Sequence, residues 1–247
     1  MIITEQFTSQ GLQVHTDGLD IAELKLNHVK KQLKSFEPNY QNILALIRLN
    51  NNRRRTVILD RRHGLIAVPE SPAKILKTMT KKLEIISPWF MRQLSKLQNI
   101  NEYRPYVYGG LSFSPLKTDK NGCQSWISTL QIENFHQHQN IDSQMIYFQD
   151  FDLPIIVPAT RNFINNRSAD ASKLQLTHEV IVDALSLPVS ENFHNDIRRL
   201  RASQFHASTV KLFNNAKRDI IKKAWDRAEF EYTDEDIDRL IKEQLSD

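Results

Sequence analysis

Cysteine, glycine and long apolar runs are what this 247-residue chain has least of. Cys123 stands alone, so no internal disulfide can form and a disulfide-stapled secreted scaffold is excluded. Only six glycines occur, with one adjacent pair at Gly109-Gly110. Dinucleotide fingerprints and phosphate-cradling loops need clustered glycine, which argues against the common nucleotide-binding folds. The longest apolar runs, such as Ile43 to Ile47 and Ile155 to Val157, are far too short for a bilayer, and no membrane partner is expected. Residues Met1 to Gln10 carry neither a basic nor an apolar stretch of signal-peptide type, so the expected location is the cytoplasm.

What is present is a 40% apolar composition, enough for one large domain or two small ones. Ile21, Leu24, Leu26, His28, Val29 and Leu33 recur at helical spacing and predict an amphipathic helix ahead of Pro38. From Ile43 the pattern becomes that of strands. Ile43 to Leu49, Arg54 to Asp60 and Leu65 to Val68 are separated by Asn50-Asn51-Asn52 and by Arg61-Arg62-His63-Gly64, which predicts a three-stranded meander. Ser71-Pro72 and Ser87-Pro88 open two helices, since serine caps and proline suits the first helical position. Strands are expected again at Tyr106 to Tyr108, Leu111 to Phe113, Cys123 to Ile132, Met145 to Gln149 and Ile155 to Val157. Helices follow at Arg161 to Leu174, Glu179 to Leu185, Asn192 to Arg227 and Thr233 to Leu245, the last with Thr233 as cap and Asp236 at the third helical position.

The fold class is therefore α+β: antiparallel meanders forming a β core, flanking helices and a helical C-terminal region. The expected organisation is an N-terminal helical segment over 1–40, a β-rich core over 41–175, and a helical region with an acidic tail over 176–247.

A net charge of +4 conceals segregation. Arg48 to Lys82 holds ten basic residues against Asp60 and Glu70, a local +8. Asn192 to Arg227 carries +6, and Ala228 to Asp247 carries −6. Three consecutive arginines at a hairpin, Arg53, Arg54 and Arg55, and two more at the next turn, Arg61 and Arg62, place guanidinium groups at loop tips. The planar fork suits phosphate, and arginine also suits the narrow minor groove of A-tracts. The competing reading is a solvated sheet edge guarded by charge.

Catalytic signals are sparse. His136 and His138 alternate in a way that suits two metal ligands on a strand, but no third ligand has a supporting spacing, and a polar loop is the expectation. Asp150 and Asp152 lie two apart without a partner lysine of nuclease type. No nucleophile elbow or phosphate loop occurs. No cofactor or metal is expected, and the chain is read as a non-enzyme. Trp126 and Trp89-Phe90 read as core residues.

Several segments follow a familiar order. Arg104-Pro105-Tyr-Val-Tyr precedes Leu111-Ser-Phe-Ser-Pro115, then Cys123-Gln-Ser-Trp126-Ile127-Ser128, then Gln149-Asp-Phe-Asp-Leu153-Pro154-Ile155 and a helix with Asn162-Phe163-Ile164-Asn165-Asn166. Upstream lies Val57-Ile58-Leu59-Asp60-Arg61. Over Ile43 to Leu174 this succession resembles the competence transcription factor (ComK) family. The resemblance implies a transcription activator of competence genes that binds A/T-rich double-stranded DNA largely through the minor groove. It also implies a homodimer or higher oligomer, and an adaptor that delivers the protein to a Clp protease. The expected DNA contacts are Arg53, Arg54, Arg55, Arg61, Arg62, Lys74 and Lys77 on one surface, with Arg161, Asn162, Asn165, Asn166 and Arg167 as a second set. The alternatives are a metal-dependent nuclease using Asp150 or Asp152, and a protein-interaction module in which the acidic tail docks on a partner or on the chain's own basic surface.

Overall fold

β-branched and leucine-rich runs bounded by polar turns form strands wherever both faces find apolar neighbours, and that condition is met from Ile43 onwards. The computed structural model describes residues 5–37, 39–50, 55–82, 88–108, 110–117, 124–139, 141–186, 215, 218–219, 221–222, 225–226 and 229–243. The chain is an α+β protein. It divides into two compact units, one of Met1–Met91 with Ile100–Gln175 and one of Arg92–Asn99 with Leu176–Asp247.

The first unit holds two sheets. Strands β3 (Ile43–Arg48), β4 (Thr56–Asp60) and β5 (Gly64–Val68) form the expected antiparallel meander. It is extended by β8 (Trp126–Ile127), β7 (Leu111–Pro115) and β6 (Tyr106–Tyr108) on one side and by β2 (Lys31–Gln32) on the other. The second sheet is β1 (Leu19–Asp20), β11 (Phe151–Val157), β10 (Gln144–Phe148) and β9 (Ile132–Gln137), in that order. One apolar cluster takes residues from both sheets, including Leu44 and Leu59 of the first and Ile146 and Ile155 of the second. Leu46, Ile58 and Ile66 are paired across β3, β4 and β5 and are also buried, and α2 (Pro72–Lys82) contacts β3.

The N-terminal segment departs from the amphipathic helix read from its spacing. It forms a short helix α1 (Ser9–Val14), then β1, a 3-10 turn at Leu26–His28 and β2. β1 pairs in parallel with β11, and β2 in parallel with β5. Residues 5–33 therefore supply a strand to each sheet and belong to the first unit, rather than standing apart as a helical segment. Leu19, Leu24 and Val29 recur because the chain dips into the same core at successive turns, and that recurrence mimics a helical stripe.

A second departure lies in the strand expected over Cys123 to Ile132. Cys123 is outside the described residues, and β8 stops at Ile127. The buried Thr129 hydroxyl bonds those of Ser112 (2.9 Å) and Ser114 (3.0 Å), and Leu130 N–H donates to Ser112 Oγ (2.8 Å). These side-chain bonds replace ladder bonds, and the chain leaves the first sheet through a 3-10 turn at Thr129–Gln131 to enter the second as β9. Trp126 is half-buried on β8; the side chain of Trp89 lies outside the described residues. The histidine pair expected in a loop lies at the edge of this second sheet, with His136 on β9 and His138 just after it.

Helix α3 (Pro88–Leu97) begins at the proline read as its start. The two helices expected after Pro158 are one continuous α4 (Arg161–Ser186), whose N-terminus is capped by Thr160 Oγ1, which accepts from Phe163 N–H at 3.2 Å.

In the second unit, Gln93 Nε2 donates to Asp219 Oδ2 at 2.6 Å, and Gln98 Nε2 to Thr177 Oγ1 at 2.8 Å. Of the stretch Asn192 to Arg227, residues 192–214 are outside the described ones; 215, 218, 219, 221, 222, 225 and 226 are helical. Helix α5 (Asp234–Glu243) has the expected cap: Asp236 N–H donates to Thr233 Oγ1, and Thr233 N–H donates back to Asp236 Oδ2 at 3.0 Å. Ile237 and Ile241 are its buried stripe.

Candidate nucleic-acid interface

Strand β4 separates the basic residues into two groups. At its start, Arg55 is exposed; its N–H donates to Val68 O at 3.0 Å, and its carbonyl accepts from Leu49 N–H at 2.9 Å. Arg53 and Arg54 lie outside the described residues. Thr56 Oγ1 donates to Glu70 O at 2.6 Å, fixing the link from β5 to α2 at this same end. Ser71 Oγ accepts from Lys74 N–H at 3.3 Å and caps α2. Ile75, Leu76 and Met79 are buried, which leaves Lys74 and Lys77 exposed one turn apart on the other face.

Arg61 and Arg62 follow the far end of β4. Six residue steps of about 3.3 Å put them roughly 20 Å from Arg55, so among the described residues Arg61 and Arg62 stand apart from Arg55 at the opposite end of β4. Arg61 is also engaged. Its Nη2 donates to Gln131 Oε1 at 3.0 Å, and its Nη1 lies 3.8 Å from Asp150 Oδ2. The buried Asp60 organises this turn: its Oδ1 accepts from the backbone N–H of Arg62 and His63 and from His63 Nδ1, each at 2.9 Å. Arg62 remains exposed.

The first turns of α4 present Arg161, Asn162, Asn165 and Asn166 on one exposed face, with Ile164 fully buried opposite. The Arg161 guanidinium sits 5.8 Å from the Phe135 ring centroid. Arg167, expected to act with them, is turned inward. Its guanidinium lies 5.1 Å from the Tyr103 ring and 5.2 Å from that of Phe163, bonds the carbonyls of Glu102 and Tyr103 at 3.2 Å each, and pairs with Asp170 at 3.0 Å. The structure makes Arg167 a packing residue.

The end of β3 and the approach to α4 meet. Arg48 and Asn50, Leu116 and Lys117 at the end of β7, and Val157 to Ala159 all line one cavity of about 350 Å³. Arg48 pairs with Thr56, the residue after Arg55, and Val157 to Ala159 lead into α4, so the segments that precede the two sets adjoin at this cavity. Arg48 and Lys117 thus join the cationic set. Lys117 was missed in the sequence because it looks like an ordinary turn residue; its Nζ lies 5.7 Å from the Phe163 ring.

Other candidates lead elsewhere. His136 stacks on Tyr147 with centroids 5.3 Å apart, and His138 lies 3.9 Å from Asp17. Among the described residues, no three His, Cys, Asp or Glu side chains gather as a metal site. Asp150 is exposed in the β10–β11 turn with φ of 55° and faces Arg61. Asp152 is exposed on β11. No helix among the described residues is long and apolar enough to cross a membrane. Comparison with known protein families, curated proteins and solved structures finds no match.

Proposed function

We propose that this chain is a DNA-binding transcription regulator of the competence-factor type, reading A/T-rich double-stranded DNA partly through the minor groove. The observation that carries the reading is that the β unit exposes both the cations Arg55, Lys74 and Lys77 and a helix face of Arg161, Asn162, Asn165 and Asn166. Cations set affinity through phosphates, while asparagine amides bond base edges and arginine follows a narrow groove. The order of segments that resembles the ComK family supports the same reading, and binding as a dimer in the cytoplasm, with an adaptor for Clp-mediated turnover, belongs to it.

The test is the slope of log affinity against log salt for A/T-rich and G/C-rich duplexes. Each phosphate contact removed lowers that slope by about 0.9. The triple variant R55A/K74A/K77A therefore loses up to about three units of slope on both duplexes. N162A/N165A narrows the preference for A/T-rich sites and leaves the slope unchanged. A triple variant with the slope of the parent removes these cations from the interface.

A further inference from the structure

The cavity that joins the two candidate contact sets has a chemistry of its own. Its lining includes the apolar side chains of Ile21, Leu24, Leu116 and Val157. It also includes Arg48, Lys117, Asn50 and Ser125, and among the described residues that line it none is acidic. Its volume of about 350 Å³ falls within the range of small-molecule sites, about 300–1,000 Å³.

The walls are held by the fold. Arg48 N–H donates to Ser125 Oγ at 2.9 Å, and Leu116 N–H donates to Ser125 O at 2.8 Å, so one lining serine ties the ends of β3 and β7 together. Ile21 N–H donates to Ile156 O at 3.1 Å, anchoring the turn after β1 to β11. Lys117 is steadied by the Phe163 ring of α4. A recess lined by both apolar side chains and two cations suits a negative headgroup on an apolar body. A bare phosphate, whether inorganic or in a DNA backbone, satisfies the cations and leaves the apolar lining unused.

We infer that this cavity is a binding site for a small amphipathic organic anion, a carboxylate or phosphate monoester carrying an apolar chain, held by Arg48 and Lys117. The inference goes beyond DNA recognition and stands whether or not the chain binds DNA.

The experiment is calorimetric titration of the full chain, without DNA, using octanoate, octyl phosphate, octanol and inorganic phosphate as probes. One octanoate or octyl phosphate binds per chain, and whichever of the two binds more tightly identifies the headgroup. Octanol and inorganic phosphate each bind at least about tenfold more weakly, since each lacks half of the complementarity. Lys117→Gln, at an exposed position, and Arg48→Gln each weaken the anion about tenfold while leaving the melting temperature of the unliganded protein unchanged. The inference is overturned if neither anionic probe binds saturably. It is equally overturned if octanol matches octanoate, or if both glutamine variants bind the anion as well as the parent does.

Discussion

His15 and His28 share a hydrogen bond of 3.0 Å between Nε2 of the first and Nδ1 of the second, with both rings buried. Asp20 N–H donates to His15 Nδ1 at 3.2 Å and Lys25 N–H to His28 Nδ1 at 3.4 Å, so both rings are neutral with the proton on Nε2. Burial and then the neighbouring His28 lower the His15 pKa from 6.5 to about 4, against the opposing pull of Asp20. Burial and then Lys25 lower that of His28, against Glu23.

Acid sensitivity follows from this pair. A histidine whose pKa falls on folding stabilises the protein fully above pH 6.5, and that contribution is lost as pH falls towards 4. For His15 it amounts to about 3 kcal/mol. Urea denaturation between pH 7.5 and 5 should show falling stability, and His15→Gln, which keeps a donor and an acceptor without titrating, should flatten the decline. Equal slopes for variant and parent would remove the pair as its source.

Arg167→Lys should destabilise the first unit by about 2 kcal/mol. The guanidinium spans two rings, two carbonyls and Asp170, and an ammonium has neither the planar face nor the fork to replace it. Tyr103, with φ of 47°, is one of the residues it holds. The readout is the denaturation midpoint, paired with the DNA salt slope, which is expected to stay the same.

Gly64→Ala should cost at least about 2 kcal/mol. Gly64 has φ of 70°, and an added Cβ runs into the side-chain amide of Gln6, whose Oε1 accepts from Leu65 N–H at 2.9 Å. Adding Gln6→Ala relieves the clash but not the backbone strain, so the double variant should recover only part of the loss. Full recovery in thermal melts would assign the whole effect to the clash.

The acidic helix α5 lies against the chain's own cations: Asp238 pairs with Arg218, and Asp234 with Lys222 at 2.6 Å. The ammonium of Lys222 holds the Asp234 carboxyl below its usual range. D234N/D238N should therefore raise affinity for unspecific DNA and steepen its salt dependence, because Arg218 and Lys222 become available to phosphates. Unchanged affinity would leave these pairs as internal braces only.

Local chemistry was legible in the sequence, and long-range pairing was not. The β3–β5 meander, the helix starts at Pro72 and Pro88 and the Thr233–Asp236 cap are each fixed by residues a few positions apart, and all are found. β1 and β2 are two-residue strands whose partners lie far along the chain, and their apolar spacing imitates a helix. The fates of Arg61 and Arg167 depend on Gln131, Asp150 and Tyr103, far away in sequence, so a count of charges treats them as free. Lys117 reached the candidate site only through the packing that sets it beside Phe163.

The parallel pairing of Leu19 with Ile155 also has a temporal meaning. At synthesis rates of about 5–20 residues per second, β1 leaves the ribosome on the order of ten seconds before the strand it must join exists. During that interval Leu19 lacks the strand that covers it in the folded protein. The second sheet cannot close until Val157 has been made.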